Sequence, residues 1–349
     1  MTEILTSCGP RSLRTPVPVR FVHNDRFGAA EAARSEDLDA LLAQRGDILA
    51  AFAENGDLCW TVQTFCRLRE AGYGGIELAT EPASGRINLS KAKTLSRRGW
   101  RPGTFDVSIQ ADYPRVVWAQ FHLQQNRDLE GHHSAFVPLW PQAGLTPRDA
   151  ERMAIERAAF IGKVDGNLAG GVARWKAMLQ GSGIEFVAPP PGAWHDLSAI
   201  DVVVALRSFD GRRHSRKPAN KLVNAWRAGV PFIGGADSAY SQAGSPGVDY
   251  LQARSPAEVL AQLERLRHDR GLYRALVEAG RKRSSEYSVP NLVHAWLRAL
   301  EGPVAARYLA WAAHPRQERL RSQLMGAAQS GLDAAKAVGR RLLRRAHEA

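Results

Sequence analysis

The sequence predicts an α/β chain built as two doubly wound parallel-sheet domains, followed by a basic helical tail. Three observations lead there. The 349 residues exceed the ~250–300 at which single cores stop growing, so two cores are expected. Apolar runs of strand length alternate with amphipathic segments of helix length in both halves. Between the halves lies FVPLWPQAGLTPRD, whose Pro138, Pro141 and Pro147 exclude a continuous helix or a central strand.

Taken in order, residues 1–46 read as an N-terminal extension. A Pro/Arg-rich opening precedes a short apolar run, Val19 to Val22, and then EAARSEDLDALLAQRG has helical spacing and ends at Gly46. Residues 47–150 read as the first domain. DILAAFA, Asp47 to Ala53, is a buried-strand candidate, ENGD a turn, LCWTVQTFCRLREAG a helix closed by Gly72, and IELAT the next strand. RINLS, FDVSIQAD and AQFHLQ are further strands of a parallel layer.

Residues 151–302 read as the second domain. AAFIG, IEFVA, DVVVAL, VPFIGG and DYLQA are its strands, and two long helical segments follow, the first broken near Gly271. Residues 303–349 form the tail.

Composition restricts the function. The 47 basic residues outnumber 35 acidic ones, giving a net charge of +12, which favours polyanionic partners such as nucleotides or an anionic membrane. Nucleic acid is not expected, because neither zinc-finger spacing nor an RNP-like segment is present. Three cysteines make no disulfide framework, and Cys59 and Cys66 share one helical pattern as core residues. Neither a signal peptide nor an apolar run of ~18 residues occurs, so a cytoplasmic location is the default.

The segment RSFDGRRHSRKPANKLVNAWRAGVPFIGG carries the functional signal. It follows DVVVAL, and ligands of open parallel sheets bind beyond the carboxyl ends of strands. Pro218 suits the start of a helix, and Gly229 with Pro231 marks its stop. Arg216, Lys217 and Lys221 then crowd the positive end of that helix, where acidic residues are normally preferred. A bound anion removes the conflict, with Asn220 donating to an oxygen; the other reading is a solvated basic loop.

This segment, with YLQARSPAEVLAQLERLRHDRGLYRALVEAGRKRSSEYS after it, resembles the C-terminal domain of GT-B glycosyltransferases, most closely the group-one type. The resemblance covers about Ala158 to Leu300 and implies two Rossmann-like domains facing a cleft. It also implies a nucleotide-sugar donor, a glycan or lipid-linked acceptor, and no cofactor or metal. With an Ala- and Arg-rich composition, it implies a bacterial enzyme of surface-polysaccharide assembly.

Many retaining members carry two glutamates eight positions apart, and Arg216 and Asn224 occupy those positions here. A non-catalytic sugar-nucleotide-binding relative is therefore an alternative, as is a basic polyanion-binding scaffold. FIGKVDGN resembles the first strand and loop of the same domain, which makes Lys163 and Arg207 candidates for the diphosphate. An inverting reaction needs a general base from the first domain, for which Asp112 is the leading candidate beside His23 and Asp25.

Three features lie outside this frame. His132 and His133 are adjacent and point apart, which disfavours a metal site. WPQAGLTPRD is expected to act as a hinge. The tail, ending in GRRLLRRA, is either a helix packed on the domain or a basic amphipathic helix lying on an anionic membrane.

Overall fold

The computed structural model describes residues 4–24, 34–35, 38–152, 154–329 and 331. The first half contributes β1 (Ile4–Ser7), β2 (Arg11–Ser12), β3 (Val19–Val22), β4 (Tyr73–Gly74), β5 (Ile76–Ala79), β6 (Ile87–Lys91), β7 (Phe105–Ile109), β8 (Phe121–Gln124) and β9 (Ser134–Phe136). Seven of these form one sheet in the order β1-β5-β3-β6-β7-β8-β9, while β2 and β4 form a separate parallel pair. Every pairing in the large sheet is parallel except β1 with β5.

The sheet corrects two expectations. Residues 1–46 are not an appendage, because β3 sits between β5 and β6 with all four residues buried. Asp47 to Ala53 is not a strand. It lies in a helix, Gly46–Glu54, that buries Ile48, Ala51 and Phe52 at i, i+3 and i+4. A seven-residue apolar run fits either state. Here alanine and leucine outnumber β-branched residues, and helix propensity wins.

The helices are numbered α1 (Leu38–Gln44), α2 (Gly46–Glu54), α3 (Gln63–Glu70, entered through a π-helical turn at Leu58–Val62) and α4 (Ala92–Arg98). As expected, α3 is followed by Gly72, which adopts φ 81°.

The second half holds β10 (Arg157–Ala159), α5 (Gly171–Leu179), β11 (Glu185–Val187), β12 (Val202–Ala205), α6 (Asn220–Ala228), β13 (Phe232–Gly234), α7 (Ser238–Ala243) and β14 (Leu251–Gln252). Its strands are all parallel in the order β11-β10-β12-β13-β14. That order places a topological switch point between β10 and β12, where chains leaving adjacent strands diverge and open a crevice. The valines of β12 are all buried, as befits a strand covered on both faces.

Next come α8 (Pro256–His268) and α9 (Arg270–Ser284), separated at Asp269, close to the expected break. Gly280 of α9 faces Trp226 of α6 so closely that a β-carbon would lie 2.4 Å from its ring. Only glycine permits this approach.

The chain then returns to the first domain. In α10 (Val289–Ala299), Leu292, Val293, Trp296 and Leu297 join the first core, with Trp296 against Phe21 and Trp60. In α11 (Ala305–Ala313), Tyr308 and Trp311 pack edge-on against Phe105. The expected boundary at residue 302 thus falls inside a helical stretch that belongs to the first core on both sides. Residues 315–329 continue as helix, and Ser322 there accepts a hydrogen bond from buried Gln120. The described part of the tail packs through α11 and Ser322, while Leu320, Leu324 and Met325 stay exposed and GRRLLRRA lies outside the described residues.

Two doubly wound, Rossmann-like domains therefore face each other across a cleft, the GT-B arrangement. The connecting segment is pinned rather than loose. Trp140 donates to Thr64 Oγ1 of α3, and Arg148 and Arg152 both bind Asp201 at the start of β12.

Candidate functional site

The carboxyl ends of β6, β7, β10 and β12 open into one cavity of about 260 Å³ between the domains. The first domain presents Lys91 as the last residue of β6, Asp112 after β7, and Gly56, Cys59 and Trp60 at the entry to α3. The connection presents Trp140 and Gln142; the second domain presents Lys163 after β10, Arg207 after β12, Trp194, and the start of α6.

Of the sequence-predicted residues, the structure brings Asp112, Lys163, Arg207, Lys217, Asn220, Lys221 and Asn224 to this cavity. Arg216 is the exception. Its side chain is exposed and forms no part of the cavity wall, because the turn at Ser215–Arg216 directs the chain outward before α6 begins. His23, at the end of β3, also lies off the cavity, and Asp25 lies outside the described residues.

Helix α6 starts at Asn220, two residues after the expected Pro218, with Ala219 as its N-cap. No side chain caps it, so its first-turn N–H groups stay available. Lys221 projects from this turn over the Phe160 ring, with Nζ 4.9 Å from the centroid. Gly162, at φ 127°, leaves room for it: a β-carbon there would stand 3.3 Å from Lys221 Nζ. Burial, then the charges of Arg207 and Lys217, push the Lys221 ammonium down to about 7.

The other cations differ in how they are held. Arg207 is buried, and its Nη1 donates to Asp237 Oδ1 at 2.9 Å and to Tyr240 at 3.2 Å. Burial opposes its charge, but Tyr240 and Asp237 outweigh burial and hold it above its ordinary value. Lys217 Nζ crosses the cleft to Asp112 Oδ2 at 2.9 Å. Burial raises the Asp112 carboxyl, yet the hydrogen bond and charge of Lys217, with the charge of Lys91, leave it below its ordinary value. Lys163 is exposed at the rim.

Asn224 Oδ1 accepts the backbone N–H of Gln142 at 3.0 Å, which ties α6 to the connecting segment. Further contacts close one side of the cleft. Asn126 donates to Ser238 Oγ and to the Lys217 carbonyl, and Arg213 pairs with Asp128.

Sequence reading missed Lys91 and the aromatic wall of Trp60, Trp140 and Trp194. The position of Lys91 at the end of RINLSK was available as a signal, since it follows a predicted strand. The tryptophans gave none, being indistinguishable in sequence from core residues. Cys66 is core as expected, whereas Cys59 reaches the cavity, where burial pushes its thiol up to about 11. The rings of His132 and His133 lie 4.4 Å apart, and no metal-binding group of three or more His, Cys, Asp or Glu side chains occurs among the described residues.

No family model matches the sequence, and no curated protein matches it. Among solved structures, Anabaena HepE in complex with UDP and glucose is 9% identical, with a TM-score of 0.48 over 82% of this chain and 100% of that one. Sucrose-phosphate synthase from Thermosynechococcus elongatus is 12% identical, with a TM-score of 0.45 over 63% and 74%. S. aureus TarM is 7% identical, with a TM-score of 0.42 over 61% of this chain. The chain spans about half the length of TarM, 54%.

Proposed function

We propose that this chain is a glycosyltransferase that moves a sugar from a nucleoside-diphosphate donor to a glycan or lipid-linked hydroxyl. The observation that carries the reading is Lys221. It is a desolvated cation at the uncapped positive end of α6, facing a cavity, without a carboxylate partner among the described residues. Such a site favours a phosphate group.

The chemistry follows from the placement. The acceptor oxygen bonds to the anomeric carbon as the bond from that carbon to the diphosphate breaks, and its electron pair leaves on the diphosphate oxygen. Lys221, Lys163 and the α6 N–H groups face the charge that develops there. The acceptor proton passes to Asp112, which Lys217 keeps ionised and ready to accept it. Trp194, half-buried on the cavity wall, supplies a flat surface for a base or sugar ring.

Calorimetric titration with UDP, ADP, GDP and their sugars, at moderate salt, tests the reading. Micromolar binding of one nucleotide, weakened about 100-fold or more in the Lys217→Ala/Lys221→Ala double variant, is expected. Uniform weak binding that vanishes with salt identifies a polyanion-binding surface instead.

A second reading has its own support. Arg216 points away and Asn224 is committed to Gln142, so neither replaces the paired glutamates. Selective binding without transfer to any acceptor identifies a non-catalytic relative. A peripheral contact with anionic membrane through residues 332–349 belongs to the same proposal. Truncation must stop there, because Val304 and Tyr308 are core residues. Loss of co-sedimentation with phosphatidylglycerol vesicles is expected on that truncation, and unchanged co-sedimentation discards the contact.

A further inference from the structure

From the placement of Lys91 over Gly56, beside Asp112, we infer that the first-domain wall of the cleft is a second anion subsite, which holds a phosphate group on the acceptor. This inference rests on the glycosyl-transfer reading and names the chemical class of its acceptor.

Lys91 ends β6 and is paired in register with Ile109 at the end of β7. Asp112 follows Ile109 by three residues, so the candidate base and this lysine leave adjacent parallel strands on the same side of the cleft. The Lys91 charge reaches the Asp112 carboxyl and helps hold it down. The lysine's position is built. A β-carbon at Gly56 would stand 2.5 Å from Lys91 Nζ, so the ammonium lies against this backbone and a side chain at Gly56 would push it aside. Asp57 fixes that loop by accepting from Thr94 Oγ1 of α4 at 2.6 Å.

Charge matching separates this site from the donor site. Lys217 is neutralised by Asp112 and Arg207 by Asp237. Lys163, Lys221 and Lys91 remain on the cavity wall, each without a carboxylate oxygen within 4 Å among the described residues, although Lys91 still feels the charge of Asp112. A nucleoside-diphosphate sugar carries one charge on each phosphate, which Lys163 and Lys221 on the second domain match. Lys91 is surplus to the donor and stands on the opposite wall. Carrying that cation next to the proton acceptor favours an acceptor whose own charge anchors it there and presents its hydroxyl to Asp112.

The test uses the full chain saturated with its preferred nucleoside diphosphate, into which glycerol 3-phosphate or glycerol is titrated. Glycerol 3-phosphate is expected to bind and glycerol not to. Lys91→Met and Gly56→Ala, the latter displacing only the flexible end of a lysine, should each weaken that binding about tenfold or more. Nucleotide affinity should change less than about twofold. Binding of phosphatidylglycerol vesicles that depends on Lys91 would place the phosphate on a lipid headgroup rather than on a soluble acceptor.

Three results overturn the inference. If glycerol 3-phosphate ignores the nucleotide-loaded protein, the subsite is absent while the donor site stands. If Lys91→Met weakens the nucleotide as much as the phosphate, Lys91 is a donor ligand. If no nucleoside diphosphate binds at all, the functional reading fails and takes this inference with it.

Discussion

Lys217 Nζ stands 2.9 Å from Asp112 Oδ2, joining the two domains across the cleft. The backbone is strained on both sides of this pair. Ala111 (φ 49°) and His214 (φ 43°) are the non-glycine residues with positive φ among the described residues. Ala111 precedes Asp112, and His214 accepts the Lys217 N–H through its carbonyl. Strained conformations persist where surrounding structure over-determines them, often at functional sites.

Replacing Asp112 by Asn separates its two roles. Transfer should fall about 10²–10⁴-fold if it takes the acceptor proton. Donor affinity should hold or rise, because Lys217 is released toward the diphosphate. Steady-state rates together with calorimetric donor affinities decide this. Unchanged turnover removes Asp112 as the base.

Lys221 predicts a pH dependence of binding. Its ammonium titrates near 7 in the free protein, and a bound diphosphate stabilises the protonated form. Affinity for a nucleoside-diphosphate sugar should therefore fall as pH rises above about 7, approaching tenfold per unit. Proton uptake on binding, read from calorimetry in buffers of different ionisation heat, should approach one proton at pH 8 in the wild type. It should be absent in Lys221→Met.

The same lysine costs stability. A lysine depressed from 10.5 to about 7 destabilises the fold fully below the lower value, and the penalty fades as pH rises toward the upper one. Lys221→Met should thus raise the urea midpoint at pH 7, by on the order of 2–4 kcal/mol in unfolding free energy. The gain should be gone near pH 10.5.

Gly162→Ala adds a β-carbon in a backbone conformation at φ 127° and crowds Lys221 Nζ. The fold should lose about 1–3 kcal/mol, and nucleotide binding should weaken with it. Gly166→Ala, at φ 67° with open space around its β-carbon, should lose stability alone. Equal nucleotide affinity in the two variants would disconnect Gly162 from the site.

Asp201 joins the connecting segment to the second domain. It is fully buried, accepts from Arg148 and Arg152, and also from the backbone N–H groups of Glu156 and Arg157. Burial raises its carboxyl, but these donors outweigh burial and leave it lowered. Its contribution is present above the unfolded value near 3.8 and is lost as pH falls through the folded value. Asp201→Asn should cost about 3 kcal/mol at pH 7 in urea denaturation, with the difference from wild type shrinking in that acid range.

Local pattern was sufficient wherever composition and period agreed. DVVVAL could only be a buried strand, Gly229 stopped α6, and Lys217 and Lys221 between them fell beyond the carboxyl end of β12 because parallel topology puts such loops there. The sequence also determined the excess of positive charge and the alternation that requires two parallel sheets. Tertiary structure decided what local energies leave open. The run at Val19–Val22 became a central strand and α10 returned to the first core, since each buries its apolar face against elements distant in sequence. Within one loop, Arg216 points out while Lys217 and Lys221 point in; only the packed backbone sets side-chain direction. Lys91 comes beside Asp112, and Asp112 meets Lys217, for the same reason: the juxtaposition comes from strand order and domain closure, which no short window of sequence contains.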